Sequence, residues 1–269
     1  MVPHLLEVGL KRELSADETQ RFPFSVPAIR ELPLLDVEVP VTMFVGENGS
    51  GKSTLLEAMA VCAELRSFGA TDPTADDTLG RQRELANALR MAWRPRSRRG
   101  FFMRAEDFFG FLRMQARLDA RLSRERREFA GQQFDHESPS AGGQHIDELA
   151  AVRHLGKYDS RSHGESFLDL FRSRLEPRGL YLLDEPETPL SPKRQLELLK
   201  LVMQAAENGS QFIIATHSPI LLGYRGARIY SFDQVPITET DYDSLEHVTV
   251  MRRFLNDPAG EIARLGPSG

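Results

Sequence analysis

The sequence predicts an α/β fold with a mostly parallel core sheet, antiparallel strands near the N-terminus and an inserted helical lobe. Two observations carry this prediction. In the C-terminal half, apolar runs such as Gln211–Ala215 alternate with amphipathic segments such as Pro192–Glu207, a pattern that is typical of parallel sheets with crossover helices. Near the N-terminus, the apolar run Val41–Val45 leads through a glycine-rich stretch into residues 52–66, whose apolar residues have helical spacing.

The other elements follow from local composition. β-branched and aromatic runs broken by prolines predict strands, and Gly-free segments with apolar residues three or four apart predict helices. The predicted strands are 22–30, 34–39, 41–45, 179–183, 211–215 and 227–232, and the predicted helices are 52–66, 164–175 and 192–207. Polar linkers at 71–77 and 131–144 bracket a middle segment. We therefore expect one domain over 1–269, with an inserted helical lobe at 71–155.

Bulk properties narrow the class of protein. The chain has 269 residues, of which 41% are hydrophobic, enough for a substantial core. No apolar run approaches the ~20 residues that a membrane helix needs, and residues 1–13 lack the pattern of a secretory signal. The single cysteine, Cys62, excludes an internal disulfide. These features predict a cytoplasmic protein without membrane insertion, and the net charge of −5 argues against uniform basicity.

Residues 46–53 read GENGSGKS and match the pattern G-x-x-x-x-G-K-[ST]. Glycines let backbone N–H groups turn toward phosphate oxygens without interference from a Cβ atom, and the helix that follows directs its positive end at the same anion. The Lys52 ammonium would contact the β- and γ-phosphates, and the Ser53 hydroxyl would complete the shell of a Mg²⁺ ion. The residues predicted to bind ATP are Gly46, Asn48, Gly49, Ser50, Gly51, Lys52, Ser53 and Thr54.

Two further strand ends carry polar groups. The apolar run 180–183 ends in Asp184 and Glu185, and the run 212–215 leads to His217. Because parallel strands end at one edge of a sheet, these side chains should meet the phosphate loop. Asp184 would then hold Mg²⁺ through water, Glu185 would orient or deprotonate the attacking water, and His217 would hydrogen-bond the γ-phosphate. Taken alone, an acidic pair is also ordinary loop chemistry, and a histidine at a strand end is more often structural.

The motifs GENGSGKS at 46–53, SHGES at 162–166, Asp184-Glu185 and His217, in this order, resemble the heads of ABC-class ATPases. The GENGSGKST loop, the DEPE acids and the ATHSPILL segment are similar to the structural-maintenance-of-chromosomes and RecF group and to small "AAA family" ATPases related to them. The resemblance covers residues 1–66 and 155–232. It implies a P-loop NTPase fold with an ABC-ATPase-like head, with ATP and Mg²⁺ as ligands and hydrolysis of ATP as the activity.

In such heads, two subunits enclose two ATP molecules, and a signature serine of one subunit contacts the γ-phosphate held by the other. The resemblance assigns this part to Ser162 and Gly164 of a second copy. Ser162 and Glu165 also match a capping box, S-x-x-E, ahead of apolar helical positions. A purely structural role at a helix N-terminus therefore stays open for them.

The chain departs from the usual pattern at two places. His163 and Glu165 stand where the signature has glycine and glutamine, which implies a contact of different charge. No glutamine loop is evident, and the nearest analogue is the strand-like run 101–105 before Glu106. Glu106 is a candidate Mg²⁺ ligand or water contact. The alternative is an ordinary acid at the start of a helix, where it favours the helix dipole.

Residues 81–127 form the basic part of the chain, with Arg113 and Arg117 on one predicted helix stripe. These arginines would suit a nucleic-acid backbone. The interpretation we favour is a solvated face paired with acids from elsewhere in this acidic protein.

We expect a cytoplasmic ATPase that closes into an ATP-bound homodimer, reopens on hydrolysis and engages DNA or a protein partner through the lobe. Two alternatives stay open. One is the nucleotide-binding subunit of a membrane transporter, against which the changed signature and the missing glutamine loop count. The other is a nucleotide-dependent switch with negligible turnover.

Overall fold

The computed structural model describes residues 4–68, 80–97, 99–105, 110 and 163–265. The strands within these ranges are β1 (Leu5–Leu10), β2 (Leu35–Asp36), β3 (Val41–Val45), β4 (Arg66–Ser67), β5 (Leu89–Trp93), β6 (Gly100–Arg104), β7 (Leu180–Asp184), β8 (Gln211–Ala215), β9 (Arg228–Ser231) and β10 (Thr238–Thr240). The helices are α1 (Pro27–Arg30), α2 (Lys52–Ala63), α3 (Gly80–Ala88), α4 (His163–Arg174), α5 (Pro192–Glu207), α6 (Pro219–Leu222), α7 (Glu246–Asn256) and α8 (Pro258–Arg264). Short 3₁₀ turns occur at Glu18–Gln20 and Tyr242–Ser244.

The central sheet has seven strands in the order β10-β9-β3-β8-β7-β6-β4. β10 runs antiparallel to β9, and all other neighbours are parallel. The predicted α/β class with a mostly parallel core sheet is therefore confirmed. Ala215 is in register with both Phe44 and Asp184, and Val45 with Ser231. The ends of β3, β7, β8 and β9 consequently lie at the same edge of the sheet.

Side-chain alternation along the central strands divides the core into two layers. Phe44 faces a cluster that includes Leu56 of α2, whereas its neighbour Met43 faces a cluster that includes Phe171 of α4 and Leu198 of α5. Both faces of the sheet are covered, which is why the strands are apolar on both sides. The two helix layers hold the strand ends, and the loops that follow them, in fixed positions.

A smaller antiparallel sheet, β2-β1-β5, packs beside the central one. The prediction of antiparallel strands near the N-terminus is therefore confirmed. Gln211 at the start of β8 is fully buried and joins the two sheets. Its Nε2 donates to the carbonyl oxygens of Leu5 and Val37, both at 2.8 Å, and its Oε1 accepts from Leu5 N at 2.8 Å. One buried amide thus satisfies backbone groups of the small sheet.

Several predicted boundaries are confirmed and others are wrong. The strands at Val41–Val45 and Gln211–Ala215 and the helix Pro192–Glu207 agree with the sequence prediction. Residues 22–30 form turns and α1 instead of a strand, because Pro27 stands at the helix start, where proline is favourable. Helix α2 ends at Ala63, short of residue 66, since Glu64 adopts a left-handed conformation with φ of 55°.

The segment predicted as an inserted lobe, 71–155, is only partly described. Its residues 80–105, apart from residue 98, contribute β5 to the small sheet and β6 to the central sheet. Because β5 and β6 belong to the two sheets, any inserted lobe would be limited to the later part of this segment, residues 106–155. Of these, the structure describes only residue 110. Among the described helices, none combines the length and apolar character needed to cross a membrane.

Most described arginines of the basic segment pair with acids. Arg94 Nη2 lies 2.5 Å from Glu38 Oε1, and Arg104 Nε lies 2.9 Å from Glu57 Oε1. The first pair is exposed and the second is largely buried, so both neutralise arginine charge within the chain. This charge balance counts against a nucleic-acid contact for this part of the segment. Arg113 and Arg117 lie outside the described residues, so a DNA or protein partner at the lobe stays a prediction.

Candidate nucleotide-binding site

The candidate phosphate loop, residues 46–51, connects the end of β3 to the start of α2. Gly46 and Gly51 have φ values of 149° and 107°, which residues with a side chain rarely adopt. At Gly46, a Cβ atom would also lie 3.0 Å from Asp233 Oδ1 and 3.0 Å from Phe232 Cβ. The glycines of the motif are therefore required by the backbone and by a close neighbour.

Lys52 is held at the loop by the loop's own backbone. The side chain is buried, and its Nζ donates to the carbonyl oxygens of Gly46 at 2.5 Å and Glu47 at 2.9 Å. Burial lowers the pKa of Lys52, and the carboxylates of Glu185 and Asp184 oppose that fall. Charged phosphate oxygens are stronger acceptors for an ammonium than these carbonyls. The position is thus suited to binding a phosphate.

Ser53 and Asp184 join the first turn of α2 to the end of β7. Ser53 Oγ donates to Asp184 Oδ1 at 3.0 Å. Asp184 is 8% exposed, and burial raises its pKa to about 7, although the bond from Ser53 opposes the rise. One hydrogen bond does not offset the cost of burying the charged carboxylate. A nearby cation would stabilise the charged form.

Ser53 Oγ and Asp184 Oδ1 would suit a Mg²⁺ ion that also binds water and phosphate. They are too few to hold a metal ion whose ligands all come from the protein. The described residues contain no group of three or more His, Cys, Asp or Glu side chains that could hold a metal ion. Mg²⁺ usually keeps several waters and is bound by one or two protein oxygens together with substrate phosphates. Glu106, the third predicted ligand, lies outside the described residues.

Glu185 and His217 approach each other across the strand ends, with 3.8 Å between Oε1 and Nε2. Glu185 has a φ of 48°, an uncommon conformation for a residue with a side chain and one that occurs often at functional sites. Burial lowers the pKa of His217, and Lys52 lowers it further. The imidazole is therefore neutral near pH 7, and its Nε2 has no hydrogen-bond partner among the described residues.

Of the two predicted signature residues, only Gly164 is described, and Ser162 lies outside the described residues. Gly164 is buried near the start of α4, where an added Cβ atom would lie 3.5 Å from Arg194 Cγ and 3.6 Å from Leu190 Cδ2. The Glu165 carboxylate, which would repel a nearby phosphate, forms an ion pair with Arg194. Of the remaining predicted phosphate contacts, Asn48 is exposed and Thr54 is half-buried in the first turn of α2.

A cavity of about 720 Å³ lies beside the phosphate loop and contains groups that the sequence prediction missed. It is lined in part by Gly46, His217, Asp233 and His247. Asp233 Oδ1 accepts from Glu47 N at 2.6 Å, which ties the loop to the segment after β9. Like Asp184 and His217, Asp233 is a polar residue after a buried strand, so the same reasoning would have found it.

Glu187 is the second residue that was missed. Its Oε1 accepts hydrogen bonds from Thr216 Oγ1 at 2.7 Å and from His217 N at 2.8 Å. Both partners lie about 30 residues away, so no local signal in the sequence identifies them.

Two family models match parts of the chain. The model described as "AAA domain" matches residues 24–77, which include the phosphate loop. The model described as "AAA domain, putative AbiEii toxin, Type IV TA system" matches residues 166–223, which include Asp184, Glu185 and His217. The predicted resemblance to small AAA-family ATPases is confirmed on these segments, and it supports a nucleotide-binding P-loop ATPase.

Curated proteins and solved structures give no comparably specific match. No curated protein matches the chain. Among solved structures, cbiO1 from Clostridium perfringens, part of the ABC transporter complex cbiONQ, is 18% identical with a TM-score of 0.46, over 97% of this chain and 98% of that chain. The ADP conformation of MJ1267, an ATP-binding cassette of an ABC transporter, is 17% identical with a TM-score of 0.44, over 99% of each chain. Functional conclusions therefore rest on the site itself.

Proposed function

We propose that this protein binds ATP together with Mg²⁺ and hydrolyses it to ADP and phosphate. The observation that carries the proposal is the meeting of the phosphate-loop residues with the acids and the histidine at one sheet edge. Ser53 Oγ lies 3.0 Å from Asp184 Oδ1, and Glu185 Oε1 lies 3.8 Å from His217 Nε2. A structural glycine turn would have no need of these convergent polar groups.

Each group has a distinct part in the proposed reaction. Lys52 binds the β- and γ-phosphates, while Ser53 and Asp184 hold Mg²⁺, which neutralises charge on the phosphate oxygens when bound. Glu185 accepts a hydrogen bond from the attacking water and orients it toward the γ-phosphorus. His217 is neutral near pH 7 and donates a hydrogen bond from Nε2–H to a γ-phosphate oxygen.

The proposal is tested by single-turnover hydrolysis with Lys52→Ala and Glu185→Gln. Lys52→Ala should weaken ATP binding at least about tenfold, since it removes a charge-assisted contact. Glu185→Gln should still bind ATP but hydrolyse it about 10²- to 10⁴-fold more slowly. Glu207→Gln, an exposed carboxylate at the end of α5, serves as the control and should behave as wild type. A wild-type rate no faster than that of Glu185→Gln would contradict hydrolysis and favour the switch.

We also propose that two copies close around ATP, with Ser162 and Gly164 of one copy at the γ-phosphate of the other. In support, none of the described residues that line the cavity beside the phosphate loop belongs to α4. Gly164 is therefore not among the described residues that line the cavity at the chain's own loop. The measurement is the molar mass of Glu185→Gln with and without ATP and Mg²⁺. A doubling is expected with ATP, and an unchanged mass would contradict the two-copy arrangement.

A further inference from the structure

Glu187 lies in the turn that follows Glu185 and contacts the segment of His217. Leu190 N donates to Glu187 O at 2.8 Å and Thr188 N donates to Glu185 O at 3.1 Å, so the turn is internally bonded. From this turn the Glu187 side chain reaches Thr216 Oγ1 at 2.7 Å and His217 N at 2.8 Å through a single oxygen, Oε1. One carboxylate oxygen therefore connects the acid turn with the histidine segment.

The contact belongs to a longer series of side-chain hydrogen bonds. Thr216 Oγ1 accepts from Ser218 N at 3.0 Å, and Ser218 Oγ donates to Gln195 Oε1 at 2.7 Å. Gln195 Nε2 in turn donates to Leu190 O at 3.1 Å, which returns the series to the acid turn. Thr216 is fully buried and Ser218 is buried as well. Such a closed series restricts the relative movement of the two segments.

Keeping a carboxylate here has a cost. Glu187 Oε2 is enclosed by protein and has no hydrogen-bond partner among the described residues. An enclosed polar atom without a partner destabilises the folded state, but an apolar side chain here would leave Thr216 Oγ1 and His217 N without their acceptor. The carboxylate is therefore suited to holding these partners at the strand ends.

We propose that Glu187 is a positioning residue, which holds the His217 backbone so that the imidazole stays beside Glu185 at the γ-phosphate. The inference rests on the proposed function, because it assigns His217 a role in hydrolysis. Glu187 itself contacts neither nucleotide nor water in this scheme. It acts through the amide of His217 and the hydroxyl of Thr216.

The first test needs no nucleotide. Hydrogen exchange at the His217 amide reports on the bond to Glu187 Oε1, since an amide without its acceptor is less protected. Glu187→Ala should raise the exchange rate about tenfold, whereas Glu187→Gln, which keeps a carbonyl acceptor, should stay close to wild type. Amides of β3 serve as the internal control and should not change in either variant. An unchanged rate at His217 in Glu187→Ala would overturn the inference.

The second test uses steady-state hydrolysis. A small displacement of a catalytic group is costly, so Glu187→Ala should lower kcat about 10- to 100-fold with KM altered less than about threefold. Glu187→Gln should restore most of the rate. Equal losses in the alanine and glutamine variants would contradict positioning through Oε1.

A double-mutant comparison separates this inference from a general loss of structure. If Glu187 acts through His217, adding Glu187→Ala to His217→Ala should change kcat by less than about twofold, because the two effects are not additive. Additive losses would overturn the inference. The proposed function fails separately, if Lys52→Ala and Glu185→Gln hydrolyse ATP like wild type. The exchange measurement still reports on Glu187 in that case.

Discussion

The phosphate loop and the edge that carries Glu185 and His217 are built in different ways. In the loop, Lys52 bonds to carbonyl oxygens five and six residues earlier in the chain, and glycines adopt the conformations that the turn requires. At the edge, contacts join residues far apart: Ser53 and Asp184 are separated by 131 positions, and Glu187 and His217 by 30.

This difference has a thermodynamic consequence. The loop needs backbone conformations that only glycine adopts without strain. At the edge, the enclosed carboxyl groups of Asp184 and Glu187 destabilise the folded state. Replacing an enclosed carboxyl group at the edge should therefore stabilise the protein, whereas adding a side chain to a loop glycine should destabilise it. Five variants, of which Gly49→Ala and Thr42→Val are controls, test these expectations in the nucleotide-free protein, without Mg²⁺.

The largest effect is expected at Asp184. Its folded pKa, raised to about 7 by burial, exceeds the unfolded value near 3.9. The folded state thus keeps a proton that the unfolded chain releases, and wild type loses stability as pH rises through this window. Asp184→Asn removes the titration, so its stability advantage over wild type should grow by about 2 to 3 kcal/mol from pH 5 to pH 8.

Urea unfolding of wild type and Asp184→Asn at the two pH values measures this difference. A gap that is the same at pH 5 and pH 8 would contradict the elevated pKa. Repeating the measurement with ATP and Mg²⁺ should reverse the order at pH 8, because the ligands stabilise only the protein that binds them.

The second-largest effect is expected in the phosphate loop, where a substitution should lower the stability of the protein. Gly46→Ala introduces a Cβ atom at 3.0 Å from Asp233 Oδ1, in addition to a φ of 149°. We expect a loss of about 2 kcal/mol in the free energy of unfolding. Gly49→Ala is the matched control: it also has a positive φ of 84°, but no atom lies within 4 Å of the added Cβ. Its loss should be about 1 kcal/mol, and equal losses would exclude the close contacts with Asp233 and Phe232 as a cause.

A smaller loss is expected at Thr216. Thr216→Val keeps the volume but removes the hydroxyl that donates to Glu187 Oε1 and accepts from Ser218 N. The buried partners lose a bond each, which should cost about 1.5 kcal/mol in total. Urea unfolding measures the loss, and a stable variant with unchanged His217 amide exchange would show that the series of bonds is dispensable.

The smallest effect is expected at Thr42, which provides the control for Thr216. Thr42 is fully buried in β3, and its Oγ1 has no hydrogen-bond partner among the described residues. Thr42→Val should leave the stability within about 0.5 kcal/mol of wild type or raise it, since a hydroxyl without a partner is replaced by a methyl group. A loss as large as that of Thr216→Val would reveal a missed partner for Thr42.

Much of the fold could be predicted because its signals are local. Val41–Val45 and Gln211–Ala215 are apolar throughout, and Pro192–Glu207 starts with a proline and has helical spacing. The boundary of the inserted lobe could not be predicted from local sequence signals. Gly100–Arg104 falls inside the lobe predicted at 71–155, yet β6 pairs with β7, some 80 residues later.

The sequence by itself determined the phosphate loop, since glycine conformations and a helix start are properties of adjacent residues. It also determined that polar groups at Asp184, Glu185 and His217 share a sheet edge, because parallel strands end together. Only the tertiary structure decided how those groups are held. The Asp233 contact to Glu47 and the Glu187 contact to His217 depend on side chains that meet through the packing of strands and turns, and sequence spacing carries no signal for such distances.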